Sequence, residues 1–218
     1  MTNENNTNTD ANPVDEAAAL AAMPDPRPDH WAVTEAVGRF IRSVEETAGD
    51  DVLAGPTPCP EFTVAALLDH VVMAADRIAV IGRGQHFSDA GERTMDRGWA
   101  DAFDHYAEEA KAAWGDPAVL GTELEVPWGK MPGGAILPAY TGEFAVHAWD
   151  LAVASSQNFA LDDDALGGAL FAASFIPADG RGTPDIPFGP IVDPGQDASA
   201  LDRLAGLMGR DVIGVGRD

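Results

Sequence analysis

The sequence predicts an all-α protein, a four-helix bundle, and three features carry that expectation. The hydrophobic fraction is 45% with only 7% aromatic residues, and it leans on alanine, which favours helix over strand. Apolar residues recur every three or four positions in four separate segments, the spacing that lines one face of a helix. A chain of 218 residues fills one core domain with appendages, and nothing marks a second.

Residues 1–28 are rich in Asn, Asp, Ala and Pro and read as a disordered acidic tail, with a helical turn near 17–22, because they offer too little apolar area to offset their ordering entropy. The bundle is expected over 29–156. Its first helix starts with Asp29 as cap, carries Val33, Val37, Phe40 and Val44, and ends near Gly49. After the turn-rich stretch GPTPCP, Thr63 caps a second helix whose inward residues are Val64, Leu67, Leu68, Val71, Val72, Ala75 and Ile78.

The third helix runs over about 94–114, with Trp99, Phe103, Tyr106, Ala110 and Ala113 inside. In TELEVPWGKMPGGAIL, Leu124 and Val126 alternate with charge around a turn at Trp128-Gly129-Lys130, which reads as a short hairpin or extended crossover too brief for a sheet. The fourth helix covers about 135–155. Residues 157–218 form a small extension expected to pack on the bundle, with helices near 164–175 and 198–208 separated by a Pro/Gly loop.

Net charge is −23, from 36 acidic residues against 13 basic ones, and Lys111 and Lys130 are the only lysines. Nucleic acid and anionic membrane surfaces are excluded as partners, since both need clustered Lys and Arg. A single cysteine, Cys59, rules out an internal disulfide and any multi-thiolate zinc site. No apolar run approaches the roughly 18 residues that span a bilayer, and the polar start MTNENNTNTDANPVDE lacks the pattern of a signal peptide, so a cytoplasmic location is expected. Oligomeric state is left open.

The stripe of the fourth helix, Tyr140, Glu143, His147, Leu151 and Ala154, contains two polar members where leucines would be expected. Glu143 and His147 are one turn apart and project from one face, close enough to share an ion. A buried glutamate must be protonated, paired or bound to a metal. His70 lies on the flank of the second helix's stripe and can face the same interior. Two histidines and a glutamate from two helices make a three-ligand set with a vacancy for water or substrate, the pattern of catalytic zinc, and one that nickel, iron or manganese also accepts. On spacing alone, a Glu and a His at this interval also occur by chance, and a buried His is more often a satisfied core residue.

The segments TPCPEFTVAALLDHV (57–71) and GEFAVHAWDLAVA (142–154) resemble the DinB/YfiT-like superfamily, in the actinobacterial branch that includes mycothiol-dependent maleylpyruvate isomerases. The stretch FGPIVDPGQDASALDRLAGLMGRD (188–211) looks like the ending of small metal-binding members of that branch. The resemblance implies an up-down-up-down four-helix bundle with a divalent metal, usually zinc, on one His of the second helix and an E-x-x-x-H pair of the last, positions matched by His70, Glu143 and His147. Their part in catalysis would run through the metal. It further implies a low-molecular-weight thiol such as mycothiol as cosubstrate and a small electrophile as substrate, hence a thiol-dependent transferase or isomerase. The isomerases carry a larger C-terminal domain, so maleylpyruvate itself is not carried over. The alternative is a metal-binding stress-response or sensor protein without turnover.

Other residues keep two readings each. Asp150 can orient the His147 imidazole or serve as a salt-bridge partner. Trp149 reads as packing or pocket wall, and Cys59 as a small buried hydrophobe or a reactive thiol near the site. Arg77 and Arg83 can contact an acidic substrate or pair with the abundant carboxylates. His30, His86 and His105 are not expected to ligate.

Overall fold

The computed structural model describes residues 24–184 and 186–213. Most of the tail expected over 1–28, including the turn near 17–22, lies outside them. Four long helices form the bundle: α1 (Arg27–Thr47), α3 (Val64–Gly82), α4 (Trp99–Ala113) and α5 (Gly133–Ser155), with a single-turn α2 (Asp50–Leu53) after the first. The all-α expectation is borne out. Between α4 and α5, β1 (Glu123–Val126) and β2 (Gly129–Pro132) pair antiparallel. Of the two forms expected for this segment the chain adopts the short hairpin, and its turn sits at Pro127-Trp128, one residue earlier than its glycine suggests. Leu124 and Val126 point inward from it and are buried.

The helices begin where backbone chemistry allows. α1 starts at Arg27, ahead of the expected cap Asp29, because Pro28 in the first turn has φ preset for helix and no N–H to satisfy. Asp25 accepts from the Arg27 N–H at 3.0 Å. Thr63 caps α3 as expected, its hydroxyl accepting from the Ala66 N–H at 3.3 Å. α4 starts five residues later than the start near 94 expected for the third helix. Gly98, at φ 87°, breaks the approach, and the Glu45 carboxylate of α1 caps it by accepting from the N–H groups of Gly98 and Ala100. Asp69 of α3 fixes the same corner, accepting from Met95 N–H at 3.0 Å and the Trp99 indole at 2.7 Å.

Cross-helix contacts set the topology, and it differs from simple alternation. α1 runs against α4, since Glu45 meets the start of α4 while Arg27 donates to the carbonyls of Trp114 and Gly115 at its end. α3 runs parallel to α4, with Asp69 beside Trp99 near both starts and Ile78 accepting from the Trp114 indole at 2.8 Å near both ends. α5 is parallel to α1, because His30 meets Thr141 and Ser43 meets Gln157. The order is therefore up-down-down-up rather than up-down-up-down, with α1 and α3 across a diagonal. The connection of residues 83–98 makes this possible: 16 extended residues reach roughly 50 Å, while the 19 residues of α3 rise only about 28 Å.

Valines, leucines, isoleucines and the large rings of Trp99, Phe103, Trp114 and Phe144 fill one continuous core. α5 is buried nearly all round, because α1 and α3 cover one side and α6 (Gly167–Ser174) and α7 (Ala200–Leu207) the other. Among the described residues, no helix is long and apolar enough to cross a membrane.

Candidate functional site

His70 on α3 and Glu143 and His147 on α5 meet where the two antiparallel helices face each other. His70 Nε2 is 2.8 Å from Glu143 Oε1, and His147 Nε2 is 3.5 Å from the same oxygen. One ligand atom from each lies within 4.8 Å of the others. The two imidazoles are nearly perpendicular, centroids 4.9 Å apart, and Phe62 packs 4.9 Å from the His70 ring. The side chains of His70 and Glu143 remain 20% and 31% exposed, so the cluster opens to solvent on one side while His147 closes it from below at 8%.

The residue pattern explains the placement. His147 falls one turn beyond Glu143 on a helix whose other positions are almost all apolar. Its Nδ1 stands 3.0 Å from Asp150 Oδ2, the carboxylate accepting, which turns Nε2 toward Glu143. Asp150 is held in turn by Arg210, whose guanidinium donates from Nη2 to Oδ2 at 2.7 Å and from Nε to Oδ1 at 3.1 Å. Both readings of Asp150 therefore hold at once: it orients the imidazole and it is an ion-pair partner.

Electrostatics follow from this crowding. Burial pushes the Glu143 carboxyl up, but the two imidazoles, His147 foremost, hold it well below the usual carboxylate range. For His147, burial works against the charged form, yet the carboxylates of Glu143 and Asp150 prevail and raise it to about 9. Cys59 is buried nearby, and its thiol is pushed up to about 12, chiefly by burial. Cys59, His147 and Asp150 also converge within 4.8 Å. That second set is the poorer one for an ion, because Asp150 is already engaged by Arg210 and by His147 and the thiol resists ionisation.

The remaining candidates separate clearly. Trp149 is buried and donates its indole N–H to Asp202 at 3.0 Å, tying α5 to α7. Arg83 pairs with Glu109 at 3.3 Å. His105 stands 3.6 Å from Glu109, and His86 3.6 Å from Glu125, both exposed and outside the cluster. His30 is fully buried, its Nδ1 2.8 Å from the Thr141 hydroxyl. Sequence reasoning missed Arg210 and Phe62. Phe62 belongs to the TPCPEF stretch that leads into α3, whereas Arg210 lies 60 residues from its partner with no local signal.

The fold and cluster define a helical bundle with an open two-histidine, one-carboxylate centre. Residues 33–152 match the family described as mycothiol maleylpyruvate isomerase N-terminal domain, and the chain belongs to that family. It is also 28% identical over 188 residues to uncharacterized proteins Rv0738 and MT0763 from two strains of Mycobacterium tuberculosis, covering 86% of this chain and 99% of theirs. No solved structure matches it.

Proposed function

We propose that this protein holds a divalent metal, zinc foremost, through His70, Glu143 and His147, and acts as a thiol-dependent transferase or isomerase on a small electrophile. One observation carries the reading: three good ligand atoms, two imidazole and one carboxylate, converge within 4.8 Å with one side open. The donor set fits the ion. Nitrogen and oxygen ligands in a set of three leave a coordination position free, as catalytic zinc requires. Nickel, iron and manganese are accepted by the same donors.

The bound ion would supply Lewis acidity that favours the thiolate form of a small-molecule thiol, and the family's name makes mycothiol the first candidate. The chain's own residues do the rest. Asp150 and Arg210 fix the His147 ring, Phe62 packs at a tilt against His70, and Glu143 balances the positive charge brought to the site.

The test is elemental analysis of the purified protein beside His147→Ala, followed by conjugation assays of the zinc-loaded form with mycothiol, bacillithiol or glutathione and a generic electrophile. About one equivalent of metal in the wild type and little in the variant is expected, with turnover that depends on a thiol. Equal metal content in both would remove the reading. Metal without thiol dependence would leave a non-catalytic metal-binding protein.

A further inference from the structure

Beside the cluster, two buried donors lack an acceptor: the Arg77 Nε–H and the Tyr140 O–H. Leaving such a donor unpaired is costly, so native structures rarely retain one without a use. Arg77 follows His70 by seven residues on α3, which sets both on one face with a rise of about 10 Å between them. Tyr140 precedes Glu143 by three residues on α5 and His147 by seven, on the same face again. Because α3 and α5 run antiparallel, Arg77 and Tyr140 form the next level of the ladder that His70 and Glu143 begin; burial bears most on the phenol, and Arg77 reaches its oxygen by charge and by a side-chain hydrogen bond, which leaves the phenol O–H itself without an acceptor.

Arg77 also forms no ion pair among the described residues. Arg39 and Arg181 share that trait, whereas Arg27, Arg42, Arg83, Arg93, Arg97, Arg203 and Arg210 are all paired, in a chain with 36 acidic residues against 13 basic ones. Near this pair stands Trp128 at the hairpin turn, its ring 5.7 Å from Tyr140 and tilted 36°, and the residue is 55% exposed.

The geometry points to an anion subsite, in which Arg77 and Tyr140 receive the carboxylate of a small flat molecule whose apolar part lies along Trp128. That the far end of the molecule reaches the His70, Glu143 and His147 cluster rests on the function proposed above. A carboxylate suits the pair better than a phosphate. One guanidinium balances one negative charge, and a dianion would meet repulsion from Glu143.

The test uses the metal-loaded full chain and two probes of one shape, benzoate and benzamide, titrated calorimetrically into wild type, Arg77→Gln, Arg77→Lys and Tyr140→Phe. The wild type is expected to prefer benzoate by about ten-fold or more. Arg77→Gln loses that preference, Tyr140→Phe weakens benzoate by about three- to ten-fold, and Arg77→Lys keeps part of it. Benzamide affinity, metal content and circular dichroism stay unchanged. Tyr140→Phe preserves packing and so decides the matter if the Gln variant misfolds. Absence of saturable benzoate binding, equal affinity for the two probes, or a preference that survives in Arg77→Gln overturns the subsite. An Arg77-dependent preference in a wild-type protein that takes up no metal keeps the subsite and fails only the metal reading.

Discussion

Arg210 clamps Asp150 across 60 residues of chain, with two hydrogen bonds of 2.7 and 3.1 Å to its two carboxylate oxygens. Asp150 is fully buried and Arg210 nearly so. The pair therefore couples the segment after α7 to the imidazole of His147, three residues from Asp150 on α5. Removing the guanidinium leaves a desolvated carboxylate whose remaining partner is His147.

Arg210→Ala is expected to destabilise the fold by about 3–5 kcal/mol, the usual consequence of orphaning a buried charge. It should also weaken metal binding about ten- to a hundred-fold through the loosened imidazole. Urea denaturation and competition with a chelating dye measure the two effects, and pairing the change with Asp150→Ala should restore much of the stability. A loss below about 1 kcal/mol would mean that the clamp is a surface contact only.

Metal should stabilise the chain and do so less in acid. At a hundred-fold excess over the dissociation constant, zinc is expected to raise the melting temperature by about 5–10 °C. His147 must release the proton that Glu143 and Asp150 hold on it up to about pH 9. Metal affinity should therefore fall about ten-fold for each pH unit below that value. A pH-independent affinity, or an equal shift in His70→Ala, would contradict this arrangement.

His30 should give the stability an acid limb. Burial lowers its imidazole from 6.5 to about 3, so the folded state refuses a proton that the unfolded chain accepts. Its contribution is complete above pH 6.5 and is lost as pH falls toward 3, by up to about 1.4 kcal/mol per unit. Between pH 7 and pH 5 the wild type should lose about 2 kcal/mol more than His30→Gln. Parallel pH profiles for the two proteins would rule the effect out.

Gly82→Ala should unseat a tryptophan. A methyl group there would overlap the Trp114 indole, which donates to the Ile78 carbonyl at 2.8 Å. Overpacking and the lost hydrogen bond together should cost about 2–4 kcal/mol. A changed near-ultraviolet circular dichroism signal is expected with the helix content retained, whereas unchanged stability would show that the ring has room to move.

The helices and the three-residue cluster were legible for one reason: their signals are local. Thr63 announces α3, and Glu143 and His147 stand out because each interrupts an apolar stripe at helical spacing. What stayed hidden depends on partners distant in sequence. Glu45 delays the start of α4 from 53 residues away, and Arg210 has no periodicity to betray it. Helix directions were equally hidden, since residues 83–98 are long enough to return the chain either way. Pro28 moved the start of α1 because a missing N–H outranked the better capping side chain of Asp29.

The parallel pairing of α1 with α5 has a bearing on how the molecule is made. His30 and Thr141 are separated by 111 positions, so their contact closes only after most of the chain exists. Contacts of that span slow folding, because loop entropy must be lost before they form. On a ribosome, α1, α3 and α4 emerge with the groove for α5 still empty and its apolar lining in water. The centre formed by His70, Glu143 and His147 is therefore a late product of folding. Chains halted before residue 133 should need a chaperone and should have no affinity for the ion.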